Sequence, residues 1–203
     1  MFRSKYLCVC LALLVSVYAV ISSISPSQAS AADQNQTTLV GPGLATRILI
    51  PAQPTPPDEF AAEELSTYLQ KMTGQTIEVI RSNERLKGDE KSPLIVLGMH
   101  PLNADLKAGA MEFDAFVIDV TPATMRIAGH YTTAKVRKGD ASDYPINRGT
   151  LNGVYTFLDQ QGVRWYNPKP YGEHVPQKET ITAPLGRQQQ TPAYRYRMGG
   201  TIY

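Results

Sequence analysis

The histidines and the paired acidic residues are the side chains of this 203-residue chain whose types could support catalysis or metal binding. His100, His130 and His174 do not have the close histidine spacings of zinc sites, and we expect no metal or other cofactor. Sugar hydrolysis with retention usually needs two carboxyl groups about 5 Å apart. Two adjacent Asp-Glu pairs occur, but Asp58-Glu59 opens a predicted helix and Asp89-Glu90 lies in a charged stretch. These positions favour structural or solvated roles, so we predict no catalytic residue.

Aromatic and basic residues in the second half of the chain are the candidates for binding. Trp165 and Tyr166 are adjacent and Tyr171 follows closely; flat aromatic rings can stack on the C–H faces of sugars. Trp165 also begins an apolar strand after a helix, which favours a role in the core or in an interface. Arg148 and Arg197 are the basic candidates for contacting a sugar or a partner domain.

The N-terminus has the pattern of a cleavable signal peptide. Arg3 and Lys5 precede an apolar run at 6–21 that is shorter than the roughly 20 residues of a membrane-spanning helix. Ala29-Ser30-Ala31 fits the small-residue rule for cleavage. We therefore expect cleavage after Ala31, a secreted or periplasmic protein and no membrane association after cleavage, with a retained anchor as the alternative.

Cleavage would change the cysteine content and the charge. Both cysteines lie in the predicted signal peptide, so no disulfide would stabilise the remaining domain. Loss of Arg3 and Lys5 takes the formal charge from +2 to 0. A neutral domain gives no electrostatic argument for nucleic acid as a partner.

The apolar pattern predicts an α/β fold of the α+β sandwich type, with a mixed sheet of about five strands and two main helices packed on it. One helix is expected from Pro57 to the stop at Gly74, and another at about 151–161. The first helix should turn one apolar stripe against the sheet, formed by Phe60, Ala61, Leu65, Tyr68, Leu69 and Met72. Thr121-Pro122-Ala123 predicts a tight hairpin turn. Residues 130–149 have no clear period and predict a long loop. The predicted strands are at 47–50, 77–80, 94–97, 113–120, 124–128 and, less regularly, 163–166.

Several phrases in this sequence occur in a recognisable order. They are Ala61-Ala-Glu-Glu-Leu at the start of the phrase 61–74, Ile95-Val-Leu-Gly98, the strand beginning at Phe113, Leu151-Asn-Gly-Val-Tyr-Thr-Phe-Leu158, and Gly162-Val-Arg-Trp-Tyr166. Together they resemble the N-terminal domain that precedes the catalytic barrel in family 20 β-hexosaminidases. Related domains precede the barrels of family 67 α-glucuronidases. The resemblance covers residues 46 to about 197.

The resemblance implies a non-catalytic accessory domain of a secreted glycoside hydrolase that acts in carbohydrate metabolism. Its expected partner is a (β/α)8 barrel that this chain does not include, and carbohydrate is a second expected partner. The implied organisation is a signal peptide at 1–31, a flexible lead-in at 32–45, the accessory domain at 46–186, and a linker or first barrel segment at 187–203. The alternative is a stand-alone carbohydrate-binding module, which should expose its aromatic residues, whereas an accessory domain should bury Trp165.

Overall fold

The computed structural model describes residues 35–86, 92–130, 133–134, 144–145, 148–167 and 170–193. The predicted signal peptide, Asp89-Glu90, most of the predicted loop at 130–149, and Arg197 lie outside these ranges. All the described elements belong to one structural unit that begins at Asn35.

A six-stranded mixed sheet forms the centre of this unit. It takes six of the twelve described strands, which are β1 (Gln36–Val40), β2 (Arg47–Ile50), β3 (Glu78–Arg81), β4 (Leu94–Leu97), β5 (Phe116–Thr121), β6 (Thr124–Gly129), β7 (Thr133–Ala134), β8 (Tyr144–Pro145), β9 (Arg164–Trp165), β10 (Glu173–His174), β11 (Ile181–Pro184) and β12 (Gly186–Gln190). The central order is β12-β5-β6-β4-β2-β3. Strands β3, β2, β4 and β6 are parallel, while β5 and β12 continue the sheet in antiparallel pairing. The predicted α/β class is confirmed, with six central strands.

Helix α1 (Pro56–Thr73) begins and ends at residues suited to those positions. The Thr55 hydroxyl accepts a hydrogen bond from the Asp58 backbone N–H at 3.3 Å, as an N-cap does. Gly74 ends the helix in the left-handed region at φ 73°, where glycine has no steric penalty. The apolar stripe of α1 is buried as predicted, except for Phe60, which is exposed.

Helix α2 (Gly149–Gln160) lies against the end of β6. A Cβ on Gly129 would overlap the backbone of Gly149, and a Cβ on Gly149 would lie 2.6 Å from the His130 backbone nitrogen. The main chains of β6 and α2 therefore approach so closely that only glycine, which has no Cβ, fits at these two positions. Within the described ranges, neither helix is long and apolar enough to cross a membrane.

The main core lies between the sheet and the two helices. It includes alternating residues of the central strands, such as Ile48, Ile95 and Ile127, together with the apolar faces of α1 and α2. Residues of β1 and β11, which pair with each other, extend this core. Two short 3-10 helices, Pro101–Leu106 and Ala108–Ala110, cover part of the opposite face of the sheet.

Two segments at the ends of the domain differ from their predicted organisation. Residues 36–40, expected in a flexible lead-in, form β1 and pair with β11. Residues 187–190, expected in a linker, belong to β12 and pair with β5. β12 is a polar edge strand, Gly-Arg-Gln-Gln-Gln, with one neighbour among the described strands. Such a strand needs no apolar alternation, so its sequence gives no strand signal.

The predicted final strand at 163–166 also differs from its expected place. Only Arg164 and Trp165 are in strand conformation, and they pair with β10 in a separate two-stranded hairpin. Two residues bury too little surface to form a core strand. The hairpin instead packs against α1 through the Trp165 side chain.

Candidate functional site

The β9–β10 hairpin places Trp165 beside an acidic residue on the surface of the domain. Trp165 pairs directly with Glu173, and directly paired residues of antiparallel strands project to the same side. The hairpin is closed further along by a 2.8 Å hydrogen bond from the Tyr166 N–H to the Gly172 carbonyl. Trp165, which the sequence places at the start of an apolar strand, therefore lies in a short surface hairpin.

The indole of Trp165 is held by two tyrosines from the two helices. Its Nε1 donates a hydrogen bond to the Tyr68 hydroxyl of α1 at 2.6 Å. The ring makes edge-to-face contacts with Tyr68 at 5.3 Å and 85° and with Tyr155 of α2 at 5.2 Å and 84°. Trp165 nevertheless remains 38% exposed. It is a fixed aromatic side chain with part of its surface open to solvent.

A chain of hydrogen bonds continues from this indole to an exposed ion pair. The Tyr68 hydroxyl donates to Glu173 Oε1 at 2.8 Å, and Lys71 Nζ donates to Glu173 Oε2 at 2.8 Å. The Lys71 ammonium also lies 4.7 Å from the centre of the Tyr68 ring. The hydrogen bonds from Lys71 and Tyr68 hold the pKa of the Glu173 carboxyl below its usual range. Glu173 is therefore ionised at neutral pH and fixed at both oxygens.

The tyrosine hydroxyls of this cluster remain protonated at neutral pH. Burial, together with the nearby Glu173, raises the pKa of Tyr68 to about 12. Burial and a 2.8 Å hydrogen bond to Glu64 raise the pKa of Tyr155. Both hydroxyls are thus donors to carboxylates, and neither is suited to act as a base or nucleophile.

The structure brings together two of the four predicted binding residues. Trp165 and Tyr166 lie in the same hairpin, and Tyr166 is 78% exposed. Arg148 is exposed at the N-terminal end of α2, where its backbone N–H donates to Asp114 at 2.7 Å. That position is about two helical turns from Tyr155. Arg197 lies outside the described residues.

A second polar cluster crosses three strands on the other face of the sheet. Arg187, Asp119 and Arg126 occupy one register row of β12, β5 and β6. Asp119 accepts from Arg187 Nε at 2.9 Å and from Arg126 Nε at 3.0 Å. Arg126 also binds Asp105 at 2.6 Å. Burial raises the pKa of Asp119, but the hydrogen bonds from both arginines outweigh it and leave the pKa below its usual range.

An open cleft of about 560 Å³ adjoins this row. Arg187, Gln189 and Thr191 line it, because alternate residues of an extended strand share one side. Asp105 and Glu112 line the same cleft from the 3-10 region. It is a polar surface cleft whose Asp105 is already bound by Arg126.

Asp58 is a buried carboxyl group at the junction of the two helices. It is 1% exposed, and its Oδ2 has no hydrogen-bond partner among the described residues. Burial raises its pKa, opposed by hydrogen bonds from Thr150, Thr55 and the Met99 backbone. A Cβ at Gly98, which has φ 70°, would overlap this carboxyl group. Asp58 therefore has the structural role expected from its place at a helix N-terminus.

His100 is also buried and structural. Its Nδ1 accepts from the Leu102 N–H at 3.0 Å, and its Nε2 faces the Ser82 carbonyl at 2.8 Å. This arrangement requires the neutral ring with the proton on Nε2. Among the residues that the structure describes, no three His, Cys, Asp or Glu side chains are grouped so as to hold a metal ion.

Comparison with solved structures finds two glycoside hydrolases that match this chain. A family GH115 4-O-methyl-α-glucuronidase with specificity for decorated arabinogalactans is similar over 79% of this chain and 19% of its own, with a TM-score of 0.53 and 18% identity. Streptomyces plicatus N-acetyl-β-hexosaminidase in complex with Thio-NAglucal matches 78% of this chain and 24% of its own, with a TM-score of 0.44 and 15% identity. This chain thus spans about a fifth to a quarter of the length of these structures. No protein-family model and no curated protein matches the sequence. At 18% identity, the likeness to the α-glucuronidase shows a shared fold.

Sequence reasoning missed Tyr68, Lys71 and Glu173 as neighbours of Trp165. The helical spacing places Tyr68 in the apolar stripe of the first helix, and its 4% exposure agrees with that prediction. Its hydroxyl, however, links Trp165 to Glu173. A buried tyrosine needs a hydrogen-bond partner, and this requirement was the signal that could have suggested a polar neighbour.

Proposed function

We propose that this chain contains a non-catalytic accessory domain of a secreted glycoside hydrolase, which supports a catalytic barrel lying outside residues 35–193. The observation that carries the proposal is the extent of the fold match. The α-glucuronidase fold match takes in 79% of this chain and 19% of the enzyme, as expected for one module of a larger protein. The sequence phrases described above occur in the order expected of a domain that precedes a catalytic barrel. This order supports the same proposal.

The environments of three described carboxyl groups, Asp58, Asp105 and Asp119, support the non-catalytic role. A glycosidase acid needs a raised pKa and access to the sugar. Hydrogen bonding to Arg126 lowers the pKa of Asp105, and the two arginines lower that of Asp119. Asp58 has a raised pKa but is buried at 1% exposure. Each of these three carboxyl groups therefore lacks one requirement of a general acid.

A stand-alone carbohydrate-binding module is the second candidate, and the exposure of the hairpin favours it. Tyr166 and Tyr171 are 78% and 80% exposed, and Trp165 is 38% exposed. An accessory domain with Trp165 fully buried does not fit these values. The two candidates differ in whether a barrel accompanies the domain.

The reading frame after the Tyr203 codon tests the proposal. We expect the genomic frame to continue into several hundred residues with paired acidic residues at strand ends. A stop codon there, with no barrel encoded in the neighbouring genes, would overturn the accessory role and leave the stand-alone module.

A hydrolysis assay tests the non-catalytic part separately. The purified chain should not release aryl alcohol from aryl β-N-acetylglucosaminide or aryl α-glucuronide substrates, because Asp105 and Asp119 are paired with arginines and Asp58 is buried. Asp105→Asn and Asp119→Asn are the control variants. Turnover by the wild-type chain that either variant abolishes would contradict the proposal.

A further inference from the structure

We propose that the open part of the Trp165 indole, with Lys71 and Glu173 beside it, is a binding site for one residue of a neutral oligosaccharide. Tyr166 and Tyr171 in the same hairpin would extend this surface to a neighbouring sugar. This inference goes beyond the supporting role and deepens the second candidate, the carbohydrate-binding module, with which it shares the exposed hairpin. It uses side chains that the fold holds in place in the chain as it stands.

The first argument is that the indole is fixed without being fully covered. A hydrogen bond to Tyr68 and two edge-to-face contacts hold the ring, which remains 38% exposed. The internal hydrogen bond already satisfies the indole N–H, so the open surface offers aromatic area for stacking. A rigid ring loses little conformational entropy on binding, which favours affinity for a weakly held ligand.

The second argument is the pair of polar groups next to the ring. Glu173 and Lys71 form a 2.8 Å ion pair whose side chains remain 28% and 45% exposed. Each Glu173 oxygen has accepted one hydrogen bond and can accept another, and Lys71 has further N–H donors. An acceptor and a donor side by side match two neighbouring sugar hydroxyl groups. Their charges cancel, which favours a neutral sugar over an acidic one.

The third argument concerns the alternative that this surface contacts a protein. The centre of a protein interface is depleted of charged residues, and lysine and glutamate in particular are rare there. Here an exposed lysine–glutamate pair lies directly beside the tryptophan, in the place where such an interface would need apolar groups. The mixture of aromatic and charged groups fits a sugar better.

The single tryptophan of the chain makes the test direct. The chain, purified with its native termini, is titrated with cellohexaose, xylohexaose and N-acetylchitohexaose while tryptophan fluorescence is recorded. We expect at least one of these neutral oligosaccharides to give a saturating change in emission and to protect the indole from acrylamide quenching. Calorimetry provides the same affinity without relying on the fluorophore.

Two substitutions separate a specific site from general stickiness. Glu173→Gln and Lys71→Met should each weaken binding about tenfold, through loss of a charge-assisted hydrogen bond. Both side chains are partly exposed, and unchanged circular dichroism would confirm that the variants fold. Phe60→Ala is the matched control, because Phe60 is an exposed aromatic residue of the same helix as Lys71; it should leave the affinity unchanged.

Three results would overturn the site. These are no response to any of the three sugars up to their solubility limits, equal weakening by Phe60→Ala, or protection of the indole by a covalently linked barrel domain without sugar. The last result would identify the hairpin as an interface between domains. None of these results bears on the reading frame, so failure of the sugar site is distinguishable from failure of the accessory role.

Discussion

At the scale of single residues, two buried polar side chains make the stability of this domain depend on pH. Asp58 and His100 are each about 1% exposed, and burial shifts their pKa values in opposite directions because it disfavours the charged form of either group. The Asp58 carboxyl group therefore keeps its proton to a higher pH, whereas the His100 ring loses its proton at a lower pH. The two groups therefore give opposite pH dependences of stability.

Asp58→Asn should remove one component of the pH dependence. The pKa of Asp58 is raised above 3.8 in the folded chain, so the folded state holds a proton over a pH range in which the unfolded state has lost it. The free energy of unfolding therefore falls as pH rises through this range. Urea unfolding between about pH 4 and pH 7 should show the stability of the wild type falling relative to that of the variant. A constant difference would contradict the assignment.

His100→Asn should remove a loss of stability on the acid side. Burial lowers the pKa of His100 below 6.5, so the unfolded chain takes up a proton before the folded chain does. The free energy of unfolding is fully present above 6.5 and decreases as pH falls below it. His174→Asn, on an exposed residue, is the control and should keep the wild-type slope. Parallel curves for wild type and His100→Asn would refute this role.

At the scale of elements, the closest packing lies where β6 meets α2. The two main chains approach at Gly129 and Gly149, with no room for a Cβ on either. In contrast, a Cβ on Gly109 would lie 3.4 Å from the flexible end of the Met99 side chain. The backbone contact between Gly129 and Gly149 therefore sets how closely α2 approaches β6.

Gly129→Ala should destabilise the domain by about 1–3 kcal/mol or more, because backbone atoms cannot move aside as a side chain can. Gly109→Ala is the matched control and should change the stability by less than about 1 kcal/mol. Urea midpoints at constant m-value measure both effects. Equal midpoints for the two variants would show that the junction adjusts, contrary to this expectation.

Helices, strands and turns whose own residues carry an apolar or turn pattern were predictable from the sequence. Elements and contacts that depend on partners far away in the sequence were not. The apolar run Leu94–Leu97 and the Pro122-Ala123 turn formed as predicted. The polar strand β12 carries no apolar pattern. The contact between Trp165 and Tyr68 joins residues 97 positions apart. Local patterns determine helices and buried strands, whereas the site depends on tertiary contacts.

At the scale of the whole molecule, we propose that export removes the first 31 residues. Mass spectrometry of the mature protein should then find Ala32 as its N-terminal residue. Ala31→Arg, which places a large cation at the cleavage position, should leave the 22.3 kDa precursor uncleaved. Full-length wild-type protein recovered from the exported fraction would contradict processing at this site.

The edges of the central sheet have a consequence for how copies of this chain behave at high concentration. β3 carries Glu78 and Arg81, and β12 carries Arg187 among three glutamines. Adding a strand from a second molecule to either edge would require these charges to give up water. The described sheet therefore resists growth by strand addition, which is the first step toward fibrous aggregation. In the described sheet, this protection comes from the charged side chains of the two outermost strands and does not depend on a covering segment.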